Sequence, residues 1–211
     1  MLLALDTATP AVTVALHDGE RVVAALTRVD ARRHGELLAP AVATVLEQAG
    51  AVRQDVTAVA VGVGPGPFTG LRVGLVTART LGFVLDVPVY GVCTLDVLAA
   101  AAVDAGLDEP FLVATDARRK EVYWAAYDGV GARLDGPHVD RPAEVATPGP
   151  VVGAGALLHP EAFPRALGPE HPDAAVLAQV VVDERAELLD PEPLYLRRPD
   201  VMAPSPRKPV S

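Results

Sequence analysis

The fold is decided by residues 2–19, LLALDTATPAVTVALHDG, because the chain repeats their pattern 110 positions later. Residues 112–129 align with them over 18 positions without a gap. Each copy has the pattern of a strand, a tight turn that begins with Asp6 or Asp116, and a returning strand. Any two hairpins rich in Val and Ala look alike, but this shared composition would not explain why an aspartate stands at the same turn in both. The sequence therefore predicts a duplicated hairpin module. Its seven identical pairs are Leu2/Leu112, Ala4/Ala114, Asp6/Asp116, Val12/Val122, Ala15/Ala125, Asp18/Asp128 and Gly19/Gly129.

Strand-like runs alternate with helical patterns along the whole chain, and this alternation predicts an α/β fold with two lobes. The first lobe is predicted at 1–105 and a smaller, looser second lobe at 111–200, with a hinge at 104–110. Residues 201–211 contain three prolines and predict an extended or disordered tail. The predicted strands are 2–5, 12–16, 22–26, 58–63, 87–92, 111–115 and 122–127, and the predicted helices are 34–49 and 70–85, with a third that opens at Thr94.

Half of the residues are hydrophobic but only 4% are aromatic, so the core must be aliphatic. The formal net charge of −9 argues against a free-standing nucleic-acid binder, since phosphate contact needs clusters of Lys and Arg. Cys93 is the only cysteine, which excludes an intrachain disulfide and fits a reducing compartment. We expect it to be buried as a small hydrophobe.

The N-terminal residues carry no basic region, and their apolar run stops at Asp6. They predict a first strand rather than a signal peptide. No apolar stretch approaches the roughly 20 residues that a membrane span requires. We therefore expect a cytoplasmic protein.

The two aspartate turns, Asp6-Thr-Ala-Thr9 and Asp116-Ala-Arg-Arg-Lys120, resemble the hairpins that hold nucleotide phosphates and metal in the actin, hexokinase and Hsp70-type ATPase superfamily. That superfamily uses Asp-x-Gly-x-Thr or Ser, and both turns here lack the glycine. Because a Cβ at that point crowds a phosphate, tight ATP binding by this chain alone is not expected. The candidates for a vestigial nucleotide site are Asp6, Thr7, Thr9, Gly64, Gly66, Asp116, Arg118, Gly153 and Gly155.

Two glycine-rich turns leave alternatives open. The loop GVGPGPFTG at 62–70 lacks the Gly-Lys-Ser/Thr of a Walker A motif, and its spacing and position do not fit a dinucleotide fingerprint. A structural turn and an anion site are equally good interpretations of this loop. For Gly153 and Gly155, a plain loop is favoured over a second turn that contacts nucleotide.

The helix at 70–85 carries a small residue at every fourth position from Gly70 to Gly82. Such a stripe allows another backbone to approach closely, either the protein's own sheet or first helix, or a partner helix. In the partner interpretation, the helix at 34–49 supplies the second surface through its apolar stripe. The candidate interface residues are Leu38, Val42, Leu46, Gly70, Arg72, Val73, Gly74, Val76, Thr77, Ala78, Arg79 and Leu81.

Signals for metal binding or nucleophilic catalysis are weak. The five histidines include no pair at i, i+4 and have no cysteine companion, so no zinc-type site is predicted. Glu36, close to His34, is interpreted as a solvated acid of the first helical turn rather than a catalytic base. No catalytic residue is predicted for this chain.

Six segments, in this order along the chain, are together similar to the bacterial TsaB family, also called YeaZ. They span nearly the whole sequence, and residues 130–190 match least. The segments are LALDTAT at 3–9, HGELLAP at 34–40, GVGPGPFTGLRVG at 62–74, GVCTL at 91–95, DARRKEVYW at 116–124 and PLYLR at 193–197.

This resemblance implies an actin-like (ASKHA, ribonuclease H-like) duplicated fold with a reduced second lobe. It implies a part in making N6-threonylcarbamoyladenosine in tRNA, beside the anticodon. It also implies a non-catalytic subunit, because in that family the paralogue TsaD transfers threonylcarbamoyl from the adenylate that TsaC makes. TsaD holds a metal through a His-x-x-x-His pair, whereas here Leu38 stands four residues after His34.

The resemblance further implies pairing with TsaD, or with a second TsaB, through the two first-lobe helices. The ATPase TsaE would join that pair, and tRNA would be contacted only through the complex. No metal and no tightly bound cofactor is expected in this chain alone, and ATP at the assembled complex is left open.

A rival from another class is a small-molecule kinase or ATPase of the same superfamily, with Asp6 and Asp116 acting through magnesium. A glycoprotease is a weaker alternative, because the sequence has neither the metal pair nor a nucleophile constellation. The sequence does not decide between a monomer and a homodimer of the isolated chain.

Overall fold

The computed structural model describes residues 1–197. The predicted tail at 201–211 and the last three residues of the predicted second lobe lie outside the described residues. The strands are β1 Leu2–Asp6, β2 Ala11–His17, β3 Val22–Val29, β4 Ala58–Gly62, β5 Val89–Val92, β6 Phe111–Asp116, β7 Val122–Tyr127, β8 Arg133–Asp140, β9 Pro150–Val152 and β10 Arg165–Leu167. The helices are α1 His34–Gln48, α2 Phe68–Leu85, α3 Thr94–Asp104, α4 Ala154–Leu158 and α5 Ala174–Val182.

The two halves of the chain build two five-stranded sheets with the same strand order. The first is β3-β2-β1-β4-β5, and the second, read in the same direction, is β8-β7-β6-β9-β10. In both sheets the hairpin strands pair antiparallel and the later strands pair parallel. The second copy is reduced, since β9 and β10 have three residues each and α4 has five. The predicted duplicated, actin-like α/β fold is confirmed.

The two hairpins differ in pairing by one residue. Asp6 lies opposite Thr13 in the first hairpin, whereas Asp116 lies opposite Val122 in the second. The connection after Asp116 is therefore one residue shorter, and the gap-free alignment of the sequences does not hold in space beyond the turn. Since side chains alternate between the two faces of a strand, identities after the turn, such as Val12 and Val122, are not structurally equivalent.

α1 and α2 lie side by side on one face of the first sheet. Leu38 of α1 and Leu71 of α2 join Leu5 of β1 in one aliphatic core, as the composition predicts. α1 ends two residues before Gly50, which has a φ of +64° and takes the left-handed position that often follows a helix.

The other face of the first sheet is covered by α5, although this helix follows the second sheet in sequence. Leu177 of α5 packs with Leu2 and Ala15 of the first hairpin. The predicted assignment of all of 111–200 to the second lobe is therefore wrong at α5. The reason is that α5 is apolar and covers, beside Val97 of α3, the face of the first sheet that α1 and α2 leave uncovered.

The two sheets are also joined through α3. Tyr127 on β7 donates a hydrogen bond of 2.7 Å from its hydroxyl to Oδ1 of Asp96 on α3, and Nη1 of Arg133 lies 3.4 Å from the same oxygen. The predicted hinge at 104–110 is the connection between α3 and β6. These contacts bind the N-terminal part of α3 to the second sheet.

α2 corrects one expectation. With 18 residues it is long and apolar enough, by length and composition alone, to cross a membrane, so the expectation that no stretch approaches that length is wrong. Its buried residues are mostly small and pack against β1 and β4. A helix that packs closely on its own sheet can therefore have the same length and apolar composition as a membrane-spanning helix.

Candidate functional site

Asp6, the aspartate of the first turn, is fully buried at the end of β1. Its Oδ1 accepts a hydrogen bond of 2.7 Å from the amide of Ala8, and its Oδ2 accepts one of 2.8 Å from the hydroxyl of Thr94. A Cβ at Gly62 would lie 1.8 Å from Oδ2, so this glycine makes room for the carboxylate. Burial is the main cause that raises the pKa of Asp6 to about 6. The carboxylate is enclosed by the protein's own atoms.

The hydroxyl residues of the first turn also bond inward. Thr7 Oγ1 donates to the carbonyl of Gly70 at 2.8 Å and accepts from the amide of Gly74 at 2.9 Å. The carbonyl of Thr9 accepts a hydrogen bond of 2.8 Å from Nε2 of His34, which fixes the proton of that ring on Nε2. The turn is thus tied to the first turns of both α1 and α2.

The glycine-rich loop between β4 and α2 packs against the same turn. Gly64 has a φ of +90°, and a Cβ there would lie 3.1 Å from a methyl carbon of Leu71. A Cβ at Gly66 would lie 2.1 Å from the carbonyl oxygen of Ala8. The close approach that these glycines permit is taken by the protein's own atoms, which supports the structural interpretation of the loop over the anion site.

The second turn repeats one local feature of the first but is far more exposed. Asp116 Oδ1 accepts a hydrogen bond of 2.7 Å from the amide of Arg118, as Asp6 does from the residue two positions on. Oδ2 of Asp116 forms an ion pair of 3.0 Å with Arg118 Nη1. Arg118, Arg119 and Lys120 follow with φ values of 61°, 55° and 62°, a left-handed run without glycine. The matched aspartates therefore share a turn type but not an environment.

Gly153 and Gly155 stand at the start of α4, in the place that corresponds to the loop before α2. A Cβ at Gly153 would lie 2.4 Å from the carbonyl oxygen of Ala114, and one at Gly155 would lie 2.9 Å from it. Both glycines pack on β6, so the geometry supports the favoured interpretation of a plain loop.

Two clefts lie near the turns, and they bring only some of the candidates together. The larger, of about 410 Å³, is bordered by Gly66 and Arg118 with Phe68, Tyr123 and Arg197. The smaller, of about 280 Å³, is bordered by Thr7, Thr9, His34, Gly70 and Arg118, among others. Five candidates line neither cleft. They are Asp6, Gly64, Asp116, Gly153 and Gly155.

The small-residue stripe of α2 faces the interior, which corrects the partner interpretation of Gly70, Gly74 and Ala78. All three are buried, as is Gly82. A Cβ at Gly74 would lie 2.5 Å from Oγ1 of Thr7, and one at Gly82 would lie 2.3 Å from a side chain of β5. The stripe exists because α2 lies closely on its own sheet and first turn, as the alternative interpretation predicts.

Several other predicted interface residues also face the core. Leu38 is only 1% exposed, because α1 turns its apolar stripe toward the first sheet. Five more are half-buried and offer a partner only part of their side chains. They are Val42, Leu46, Val73, Thr77 and Leu81.

The exposed face of α2 is different and carries the remaining predicted interface residues, Arg72, Val76 and Arg79. Together with Phe83 and Tyr195 they line a shallow groove of about 580 Å³. Phe83 is 89% exposed and Val76 is 62% exposed, which is unusual for large apolar side chains on one helix face. We call this surface, with Phe68 and Val84 at its edges, the α2 face.

Phe68, Phe83, Val84 and Tyr195 were absent from the predicted interface. The helical period of α2 could have indicated Phe68, Phe83 and Val84, because residues away from a buried small-residue stripe must point outward. Tyr195 lies more than a hundred residues from α2 in sequence, and no local pattern places it there.

Two smaller predictions are supported by burial. Cys93 is fully buried, and desolvation raises the pKa of its thiol to about 12, as expected of a small buried hydrophobe. Glu36 is exposed in the first turn of α1. Within residues 1–197, no group of three or more His, Cys, Asp and Glu side chains is arranged to hold a metal ion.

Known proteins match most of this chain. A family model described as "TsaD: tRNA N6-adenosine threonylcarbamoyltransferase" matches residues 26–178. An uncharacterized protein of Mycobacterium tuberculosis is 46% identical over 94% of this chain and 92% of its own length. The Escherichia coli "tRNA threonylcarbamoyladenosine biosynthesis protein TsaB" is 41% identical over 127 residues, which are 60% of this chain and 54% of that protein.

Among solved structures, YeaZ from Pseudomonas aeruginosa has a TM-score of 0.75 and 32% identity, over 92% of this chain and 99% of that one. A second structure from Pseudomonas aeruginosa, described as similar to peptidase YEAZ, has a TM-score of 0.79 and 34% identity, over 93% of this chain and 99% of that one. These similarities agree with the six sequence segments and with the duplicated sheet order. The chain belongs to the TsaB (YeaZ) family.

Proposed function

We propose that this chain acts in the biosynthesis of N6-threonylcarbamoyladenosine in tRNA, as a non-catalytic subunit that binds the catalytic paralogue TsaD. Family membership supports the pathway. The α2 face supports the binding role, because it exposes four large apolar side chains on one helix. In this proposal the contact surface is the α2 face with the adjoining edge of α1, and the small-residue stripe only holds α2 in place.

The environment of Asp6 supports the non-catalytic part of the proposal. A carboxylate that binds magnesium or phosphate must offer an oxygen to the ligand. Both oxygens of Asp6 are already bonded within the chain, and Gly62 packs against one of them. The chemistry therefore belongs to the partner, and this chain supports it through binding.

The remaining partners follow from the same role. TsaE joins the TsaB–TsaD pair in this proposal, and tRNA is contacted through the complex, in agreement with the acidic charge of −9. In this proposal ATP binds at the assembled complex and not tightly to this chain alone. A cytoplasmic location follows from the tRNA substrate.

The test is transfer of threonylcarbamoyl to tRNA by purified TsaC, TsaD and TsaE, measured with and without this chain. We expect modified tRNA only when the chain is present, and a 1:1 complex with TsaD by light scattering. Transfer at the same rate without the chain, or no complex with TsaD, overturns the proposal.

The rival function, a kinase or ATPase, is tested on the isolated chain by calorimetry with Mg-ATP. Micromolar binding with turnover would favour the rival. The internally bonded Asp6 supports the opposite expectation, which is no measurable heat.

A further inference from the structure

Arg72 extends from the α2 face, and two aromatic rings hold its guanidinium in place. Its Cζ lies 3.7 Å from the centroid of the Phe68 ring and 5.9 Å from that of Tyr195. The two rings stack with their centroids 5.4 Å apart. Nε of Arg72 also donates a hydrogen bond of 2.7 Å to the hydroxyl of Tyr195. These contacts fix the plane of the guanidinium before any partner arrives.

Tyr195 reaches α2 because the chain returns to the first sheet at 189–197, a segment that we call the strap. Leu189 and Gly91 exchange two main-chain hydrogen bonds of 2.8 Å. The amide of Leu194 donates one of 2.9 Å to the carbonyl at the end of the β4 strand, on Val63. The strap is therefore anchored to the edge strand β5 and to the residue that follows β4, and these main-chain bonds hold the segment that carries Tyr195.

The outer edge of the Arg72 guanidinium remains unused. Nη1 and Nη2 make no hydrogen bond or ion pair with any residue in the described part of the chain, 1–197. An arginine fork matches a carboxylate through two parallel hydrogen bonds. Because the side chain is already ordered, less conformational entropy is lost when such a carboxylate binds.

The charge of the α2 face indicates the kind of partner. Arg72 and Arg79 are the only charged residues in α2, and at this face Arg79 lies 3.9 Å from Glu192. A second copy of this chain, docked by the same face about a two-fold axis, would bring four arginines together. A different chain that presents carboxylates would meet complementary charge.

We propose that Arg72, oriented by Phe68 and Tyr195, is the specificity-determining contact of the α2 face, and that it receives an Asp or Glu side chain of a partner other than a second copy of this chain. The inference rests on the proposed function, in which that partner is TsaD. Tyr195 is a positioning residue, since it acts through Arg72.

The test is the dissociation constant of the full chain for TsaD, measured by calorimetry. We expect Arg72→Ala to weaken binding about 30-fold or more, and Arg72→Lys about 10-fold, because lysine keeps the charge but lacks the planar fork. Tyr195→Phe should weaken it about 5-fold, since the ring stays but Nε loses its acceptor. Arg28→Ala is the control, because Arg28 is exposed on β3 and, among the described residues 1–197, bonds only to its neighbour's carbonyl.

A double-mutant cycle separates positioning from packing. In the Arg72→Lys background, Tyr195→Phe should change the dissociation constant by less than about 2-fold, because both changes act through one guanidinium. Added salt should weaken wild-type binding more than binding of Arg72→Ala. Arg72 variants that bind TsaD as tightly as wild type overturn this inference, and so does a wild-type homodimer that Arg72→Ala dissociates. Failure of the wild-type chain to bind TsaD overturns the proposed function instead.

Discussion

The hydroxyl of Thr94 donates a 2.8 Å hydrogen bond to Oδ2 of Asp6, and this bond joins the first hairpin turn to the start of α3. The same hydroxyl accepts a bond of 3.2 Å from the amide of Gly64. Through Thr94, the buried carboxylate of Asp6 thus connects the first turn, the glycine-rich loop and α3. The aspartate of the first turn therefore serves the packing of the lobe.

Asp6 should make the stability of the protein depend on pH in an identifiable way. Its pKa is raised in the folded state, from 3.8 to about 6, so the favourable contribution is complete below pH 3.8 and is lost as the pH rises through about 6. The change corresponds to about 3 kcal/mol for a fully buried group. Asp6→Asn does not titrate, so its stability relative to wild type should rise by up to that amount between pH 4 and pH 7.

Urea unfolding of both proteins across this pH range measures the difference, and other titrating groups cancel because both proteins share them. Asp116→Asn is the matched control, since it removes one turn carboxylate that is not buried. A constant difference between Asp6→Asn and wild type at all pH values would show that Asp6 is not titrating in this range.

Gly74→Ala should destabilise the protein without any partner present. The added Cβ would lie 2.5 Å from Oγ1 of Thr7 and would displace a hydroxyl with two hydrogen bonds. The expected loss is about 1 to 3 kcal/mol in the free energy of unfolding. Gly35→Ala is the control, because a Cβ at this helical glycine of α1 has nothing within 4 Å, and the change should be neutral or stabilising by up to about 1 kcal/mol. Equal effects would contradict the inward orientation of the stripe.

Val76→Asp should abolish binding to TsaD and leave the chain folded. Val76 is 62% exposed at the centre of the α2 face, so a carboxylate there remains solvated in the free chain but would be buried in the complex. We expect at least about a 50-fold loss in affinity with an unchanged circular dichroism spectrum. Val130→Asp is the matched control, since Val130 is 80% exposed and lies in the second half of the chain. Unchanged affinity in Val76→Asp would exclude the α2 face as the contact.

Tyr127→Phe should weaken the connection between the sheets. The change removes a hydrogen bond of 2.7 Å to Asp96 and leaves that carboxylate with Arg133. Burial already raises the pKa of Asp96, so a lost donor is costly, and we expect a loss of about 1.5 to 3 kcal/mol. Chemical denaturation measures it against Tyr90→Phe, whose hydroxyl makes no hydrogen bond within residues 1–197. A loss no larger than that of the control would show that the hydrogen bond from Tyr127 to Asp96 does not stabilise the protein.

Much of the fold can be predicted from the sequence, but less of the candidate site. The sequence predicts the strand from 122 to 127 with its observed bounds, and α1 and α2 within one or two residues of theirs. Hydrophobic period and turn residues are local signals, so they survive without tertiary information. The interface prediction mixed both faces of α2, because a stripe such as Gly70 to Gly82 does not say which neighbouring backbone it meets.

The sequence by itself determined the duplication, the aspartate at each turn and the aliphatic core, because these depend on the order and chemistry of neighbouring residues. Only the tertiary structure decided that the two hairpins pair one residue apart, that α5 covers the first sheet, and that Tyr195 lies on Phe68 beside Arg72. It also decided that Asp6 is fully buried while Asp116 is only half-buried. The physical reason is that burial and orientation depend on atoms distant in sequence, which no local pattern specifies.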